Sequence, residues 1–543
     1  MTDKKFTLAI LLLLALTLFS WRAEAVFSDA SFRREVFRVI CMTGTAQEVR
    51  DAIEAGADVN ESRFTHGGTP LSLAVRHNSN PEVIKVLIQA GADVNARHER
   101  DDTELILAAR YSNNPGAITA LIEAGAYVNA KNNRAMTALM WAAYNNENIG
   151  VITALLKAGA DVNARNDRGL DALTYAARWN SNFEVITALL ENGANVSTGD
   201  ADGVTALMLA ARNNEDIEVV SALLNAGAYV NARDSGAVDG WRADGWTALM
   251  YAARWNSNPE IISTLIENGA NINARGEMGL TPLVNAAKNN RNPEVILTML
   301  NNGADVNART PNEMTVLMWA AENNKNPEIV TTLIENGSDV NAAIAWNGRT
   351  ALIYAARGNN PEVVAALVEG GADVTEGTAL FAAAFMNPNH EVITILIKNG
   401  ADVNLKTLDY TPLIAAAREN NFEVVAALLE NGADVNATRS DGTTALMAAT
   451  RRNNNLEIVA VLIENGANVN AIGPMGTTAL MEAARGGSSL HSFSDPEVII
   501  KLLDSGADAK ITNNDGRMAI DSARRNRVLA NTEALRRLES ASR

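Results

Sequence analysis

A pentapeptide of the form Gly-Ala-Asp-Val-Asn, with small variations, begins at Gly56, Gly91, Gly125, Gly159, Gly193, Gly227, Gly269, Gly303, Gly337, Gly371, Gly400, Gly432, Gly466 and Gly506. Eight of the thirteen intervals are 34 residues, and the others run from 29 to 42. A segment of that size cannot bury a core of its own, so its copies must stack and cover one another's apolar faces. This overrides the usual arithmetic, by which 543 residues would make three or four domains of about 150 residues each. The period predicts a solenoid of small supersecondary units.

One copy, residues 247–271, shows what a unit contains: TALMYAAR, WNSN, PEIISTLIEN, GAN. Thr247 is suited to cap a short first helix, and the pair Ala252-Ala253 lets a neighbouring helix approach closely. A polar turn ends that helix. Pro259 suits the first position of a second helix, Glu260 complements its positive end, and Ile261, Ile262, Leu265 and Ile266 form an apolar stripe. Gly269 supplies a left-handed cap. The residues up to Thr281 are too few for another helix and suit a projecting turn or hairpin. Each unit therefore reads as helix, turn, helix, finger.

The segments TPLSLAV at 69, TPLVNAAK at 281 and TPLIAAAR at 411, with the recurring GADVNA, resemble the ankyrin repeat family over about residues 30 to 543. The resemblance implies an all-α repeat solenoid of ankyrin helix-turn-helix-finger units, stacked into a curved rod with about 15 helix pairs including caps. It also implies a binding groove on the concave side, between the outer residues of the short helices and the fingers. Two departures from the family pattern stand out. The His usual after TPL is mostly Met (Met140, Met208, Met250, Met318, Met447, Met481), which points to packing in place of a polar network. The Gly-His between the helices is an Asn-rich turn such as Asn256-Ser257-Asn258, one residue longer.

Residues 1–25 have the layout of a signal peptide: Lys4 and Lys5, an apolar run from Phe6 to Phe19, then Ala23-Glu24-Ala25. The run is shorter than the roughly 20 residues of a membrane span. The expectation is export to the periplasm or the medium after cleavage, with an uncleaved inner-membrane anchor as the alternative. Residues 26–66 read as an N-terminal capping unit, with Thr45-Ala46-Gln47-Glu48 as a capping box. A first block of repeats spans 67–375 and a second 376–515, followed by a C-terminal capping unit at 516–543. Irregular intervals place an eight-residue extension in the finger 234–244, a near-deleted finger after Gly371, and a Gly/Ser-rich insert at 486–494. The missing finger predicts weaker coupling between the units on either side of it.

The face of the first helix carries the candidate site. Seven residues after the capping position the residue is usually Arg, as in Arg76, Arg110, Arg178, Arg212, Arg254 and Arg357. Four after it come Trp141, Tyr175, Tyr251, Trp319 and Tyr354, and eight after it Tyr111, Trp179 and Trp255. Offsets of four, seven and eight share one helical face, and aromatic and arginine residues are enriched at binding hot spots. Trp141, Tyr175, Arg178, Trp179, Tyr251, Arg254, Trp255, Trp319, Tyr354 and Arg357 are therefore candidate partner-binding residues, joined by Trp241 in the long finger and Trp246 beside it. Two readings remain open for them, contact with a partner or local packing.

Composition narrows the partner. Against 46 basic residues stand 63 acidic ones, a net charge of −17 at pH 7, which argues against nucleic acid. A single cysteine, Cys41, forms no internal disulfide, and its setting reads as buried helix. The five histidines, His66, His77, His98, His390 and His491, share no repeat position, so no metal site, cofactor or catalytic constellation is expected. The function expected is a non-enzymatic, monomeric scaffold for a protein or peptide partner. The alternatives are a cell-envelope glycan receptor, a secreted effector that binds a host protein, and an enzyme hidden in the insertions, whose only plausible base is His491.

Overall fold

The computed structural model describes residues 30–61, 68–235, 237–238, 241–242, 245–358, 360–376, 378–419, 421–453, 455–485 and 495–543. The signal-like segment 1–25, His66 and the insert 486–494 with His491 lie outside the described residues, as does the side chain of Trp241.

The described residues form fifteen consecutive helix pairs, from Ala30–Thr43 with Ala46–Glu54 to Ala519–Ala523 with Glu533–Ala541. Within each of two compact parts of the chain, one ending at Glu277 and one beginning at Met278, first helices pack on first helices of adjacent repeats, and second helices on second helices. A first helix held between two others is covered nearly all round: in Val316–Asn323, packed by Pro282–Asn289 on one side and Ala351–Gly358 on the other, Val316, Leu317, Met318, Ala320 and Ala321 are all buried. A second helix buries one stripe, as Ile261, Ile262 and Leu265 do while Glu260 and Glu267 stay exposed. This explains the paired alanines, because a helix held between two others has no room for larger side chains there. Cys41 is fully buried in the first helix, and burial pushes its thiol up to about 12.

The caps follow the sequence with one exception. Thr281 accepts the Val284 N–H at 3.2 Å, Asn258 accepts that of Glu260 at 2.9 Å, and Gly269 closes its helix at φ +86°. The capping box Thr45/Glu48 is formed at both ends. Thr247, however, makes no side-chain cap, because the Met250 N–H bonds to its carbonyl at 3.0 Å. The methionines replacing the family's His are buried as expected, and some also keep a weak polar role. The Met318 sulfur lies 3.4 Å from the Thr315 N–H.

Within each compact part of the chain, asparagine ties repeat to repeat through three ladders. Asn307, at the end of its pentapeptide, donates to the Gly337 carbonyl and accepts the Asp339 N–H, both at 3.0 Å. The Asp two residues before it caps its own turn, with the Asn307 N–H 3.0 Å from Asp305 Oδ1. After the first helix, the buried Asn324 donates to the carbonyls of Ala287 at 2.8 Å and Asn290 at 2.7 Å. Two residues on, Asn326 donates to the Arg291 carbonyl at 2.9 Å and caps the second helix. The longer turn thus carries bonds between units.

The long finger forms the hairpin that the finger segments suit. Strands β1 (Ala237–Val238) and β2 (Trp241–Arg242) pair antiparallel there, because the extra residues give it length for a hairpin. Shorter fingers close with a single bridge, such as Arg309 with Thr315. At the shortened finger, Thr375 stands where the stapling Asn would be and turns its hydroxyl to Asp373 Oδ1 at 2.7 Å. The helices nevertheless stack across it: Ala351–Gly358 packs on Thr378–Met386, and Pro361–Glu369 on His390–Lys398. Contacts divide the chain into two compact units, one ending at Glu277 and one from Met278 to Arg543. The division falls away from position 375.

Candidate interaction surface

In the first unit the outward positions of the first helices bring rings and guanidinium groups together. The series opens with Arg76, whose guanidinium lies 5.4 Å from the centre of the Tyr111 ring. Arg110 lies over both Tyr111, at 4.9 Å, and Trp141, at 4.1 Å. Trp141 meets Tyr144 edge-on at 5.9 Å, and Tyr144 meets Tyr175 at 5.9 Å and Trp179 at 5.1 Å. Tyr175 stacks on Trp179 at 5.3 Å, and Arg178 lies 4.4 Å over the Trp179 ring. Farther on, Arg212 and Arg254 lie 4.4 and 4.7 Å over Trp255. Guanidinium groups so placed gain from the ring quadrupole while keeping N–H edges for hydrogen bonding.

Accessibility sorts the candidates. Trp179 is 43% exposed, Trp255 38% and Tyr111 47%, so the residues eight after the cap meet solvent. Those four after the cap are covered by the fingers. Tyr175 is half-buried and its hydroxyl accepts from Asn166 of the adjoining finger at 2.9 Å. Tyr251 is fully buried and donates to Asp234 Oδ2 at 2.6 Å; burial, then the Asp234 carboxyl, raise its pKa. Trp141 is half-buried against Met136 and Met140.

Trp246 is also buried, in contact with Tyr251 at 5.6 Å and Trp255 at 5.5 Å, and its backbone N–H donates to Asp234 Oδ1 at 2.7 Å. It is the local hydrophobic plug at the base of the long finger, and Asp234 is the anchor that holds finger and helix together. Burial, then the charge of Arg212, lower the pKa of Arg254.

In the second unit, Trp319 and Tyr354 are buried, with Lys288 4.4 Å over the former and Arg349 6.0 Å over the latter. Arg357 reaches the Met386 sulfur at 3.3 Å. Tyr251, Trp246, Trp319 and Tyr354 are accordingly packing residues, because fingers and neighbouring helices close over their rings. Among the participants absent from the sequence-derived set are Tyr144 and Asp234. Tyr144 occupies the position seven after Thr137 where arginine is usual, a signal the pattern itself carried. Asp234 had none, since its role depends on how the long finger folds back.

The chain belongs to the ankyrin repeat family: a family profile described as "Ankyrin repeats (3 copies)" matches in overlapping windows from 80–166 to 431–513. Among curated proteins no match is found. Of solved structures, the human ASB11 ankyrin repeat domain is 27% identical, covering 44% of this chain and 99% of its own length, with a TM-score of 0.38. Ankyrin repeats are generally protein–protein interaction modules, typically without catalytic activity. Among the described residues no helix is long and apolar enough to cross a membrane.

Proposed function

We propose that this protein is an exported, non-enzymatic ankyrin scaffold that holds a protein or peptide segment against the first-helix face and fingers of its first unit. The observation that carries the reading is the series of exposed rings, Tyr111, Trp179 and Trp255, each under a guanidinium group. Large rings left in water beside arginines are the residue types that anchor protein interfaces. The His98–Glu104 pair, whose side chains lie 2.9 Å apart, is 1% and 0% exposed and so closed to a substrate. Export rests on the layout of residues 1–25.

Crosslinking in the native compartment followed by mass spectrometry tests the reading. Crosslinks to one partner should concentrate on the fingers and first helices between residues 70 and 255, and the mature chain should begin at Val26. Crosslinks confined to the second helices would overturn the groove assignment. Recovery of saccharide in place of a protein would favour the glycan alternative.

A further inference from the structure

The charge of this surface runs against that of the chain. At positions four, seven and eight after each cap, the six repeats with first helices between Pro70 and Trp255 hold Arg76, Arg110, Arg178, Arg212 and Arg254 and no acidic residue. This is notable in a protein of net charge −17. The fingers add a second row of cations that reach from one finger to the next. Arg97 donates to the Lys131 carbonyl at 3.2 Å, Lys131 to that of Arg165 at 3.4 Å, and Arg233 to that of Arg275 at 2.8 Å. A carbonyl orients a cation without neutralising it. Carboxylates offset part of this charge, with Asp101 2.5 Å from Arg97, Asp102 3.9 Å from Arg110, and Asp171 and Asp200 near enough to Arg165 to feel its charge. The second helices of the same repeats carry glutamates, among them Glu82, Glu123, Glu184, Glu191, Glu218 and Glu260. Positive charge thus predominates on the first helices and negative charge on the second, while the fingers carry both signs, with Asp161, Asp167, Asp200 and Asp202 among their carboxylates.

The exposed rings have their own period. Position eight is His77, Tyr111, Asn145, Trp179, Asn213 and Trp255 in the six repeats, so from Tyr111 onward a Tyr or Trp ring appears in every second one. With helices about 10 Å apart, the rings recur at about 20 Å, which an extended chain covers in about six residues at roughly 3.3 Å each. We propose that the segment held in this groove is an extended acidic peptide, with apolar anchors about six residues apart and carboxylates between them that pair with the guanidinium groups. The proposal rests on the groove reading of the preceding section and adds the chemistry of the occupant. Guanidinium and carboxylate match in planar, two-point geometry, and opposite charge also speeds encounter.

Selection of a displayed random 16-residue peptide library on the full chain tests this. The selected peptides should be rich in Asp and Glu around spaced apolar residues. Synthetic copies with Gln for Glu should bind at least tenfold more weakly, and Arg212→Glu and, as a milder change, Arg212→Gln should each weaken binding of the acidic form, with thermal melts showing that both variants fold. Affinity should also fall as salt rises. Selected peptides that are neutral or basic yet lose binding in Trp179→Ala and Trp255→Ala would overturn the acidic assignment and leave the groove standing. Acidic peptides indifferent to all four substitutions would overturn both. A 20-nucleotide single strand that displaces the acidic peptide at lower concentration would make the groove a nucleic-acid site and overturn the proposal, as would a selection that enriches nothing.

Discussion

Trp246 and Trp255 lie within 5.5 Å of one another and should respond to truncation in opposite ways. Trp246→Ala empties a buried site and should cost about 3 to 5 kcal/mol of stability, read from a denaturant midpoint. Trp255→Ala removes a ring already partly in water; it should weaken partner binding by about 2 kcal/mol or more while the fold survives. Trp346, exposed on a finger of the second unit, is the control and should change affinity by less than about 0.5 kcal/mol. Loss of stability without loss of affinity in both Trp179→Ala and Trp255→Ala would make these rings packing and move the site elsewhere. Helical periodicity gave both sets of aromatics the same face, and that much was legible. It could not separate position four from position eight, because the finger that covers one and leaves the other bare has no periodicity to read. Glu104 offers a test in pH. Burial raises its pKa above the usual glutamate value, against the opposing influence of His98 and Thr69. A carboxyl with a raised folded-state pKa contributes stability that is complete below its unfolded pKa and lost as pH rises through the folded one. Stability measured from pH 4 upward, a starting point at about the unfolded value, should therefore decline in the wild type relative to Glu104→Gln. A constant difference between the two would show that Glu104 does not titrate in this way.

At the scale of elements, the asparagine turn is where the sequence said least and the structure adds most. The composition Asn-Ser-Asn marks a polar turn, but a hydrogen bond to the neighbouring copy belongs to no single copy's sequence. Asn256 donates to the carbonyls of Ala211 at 3.0 Å and Asn214 at 2.8 Å while almost fully buried. Replacing it with Ala leaves both carbonyls without that donor, an expected cost of about 1 to 3 kcal/mol. Asn256→Asp should be worse at neutral pH, since it sets a carboxylate against two carbonyl oxygens. Equal stability of the Ala and Asp variants would mean that water replaces the lost donor. The same reasoning explains why the long finger is held at its base: Asp234 accepts from the Trp246 backbone N–H and the Tyr251 hydroxyl, one on each side of the helix start. The extra length was legible from the spacing of glycines; the anchor was not, because a carboxyl pointing inward looks like any other turn aspartate.

For the whole molecule, the period alone was enough to give the architecture, since nothing else lets thirteen short intervals share one core. What it could not give is the strength of coupling where the period breaks. A missing finger suggests a weak joint, yet the helix layers run through it unbroken, and in a solenoid most of the neighbour energy lies in such buried helix contacts. Leu333 and Leu367 are both fully buried in second helices, Pro327–Glu335 and Pro361–Glu369, on the near side of the shortened finger. Truncating either to Ala should cost about 2 to 5 kcal/mol, and because stability is a sum of unit and nearest-neighbour terms, the loss should stay local. Hydrogen exchange reads this directly. In Leu333→Ala, amides of Pro293–Asn301 and Pro361–Glu369 should lose protection together with the mutated helix, while those of Leu456–Glu464 keep theirs. In Leu367→Ala, deprotection should reach His390–Lys398, beyond the shortened finger, as strongly as it reaches Pro327–Glu335. If it stops at the shortened finger, the fingers and their asparagine staples, and not the helix layers, transmit stability along the array.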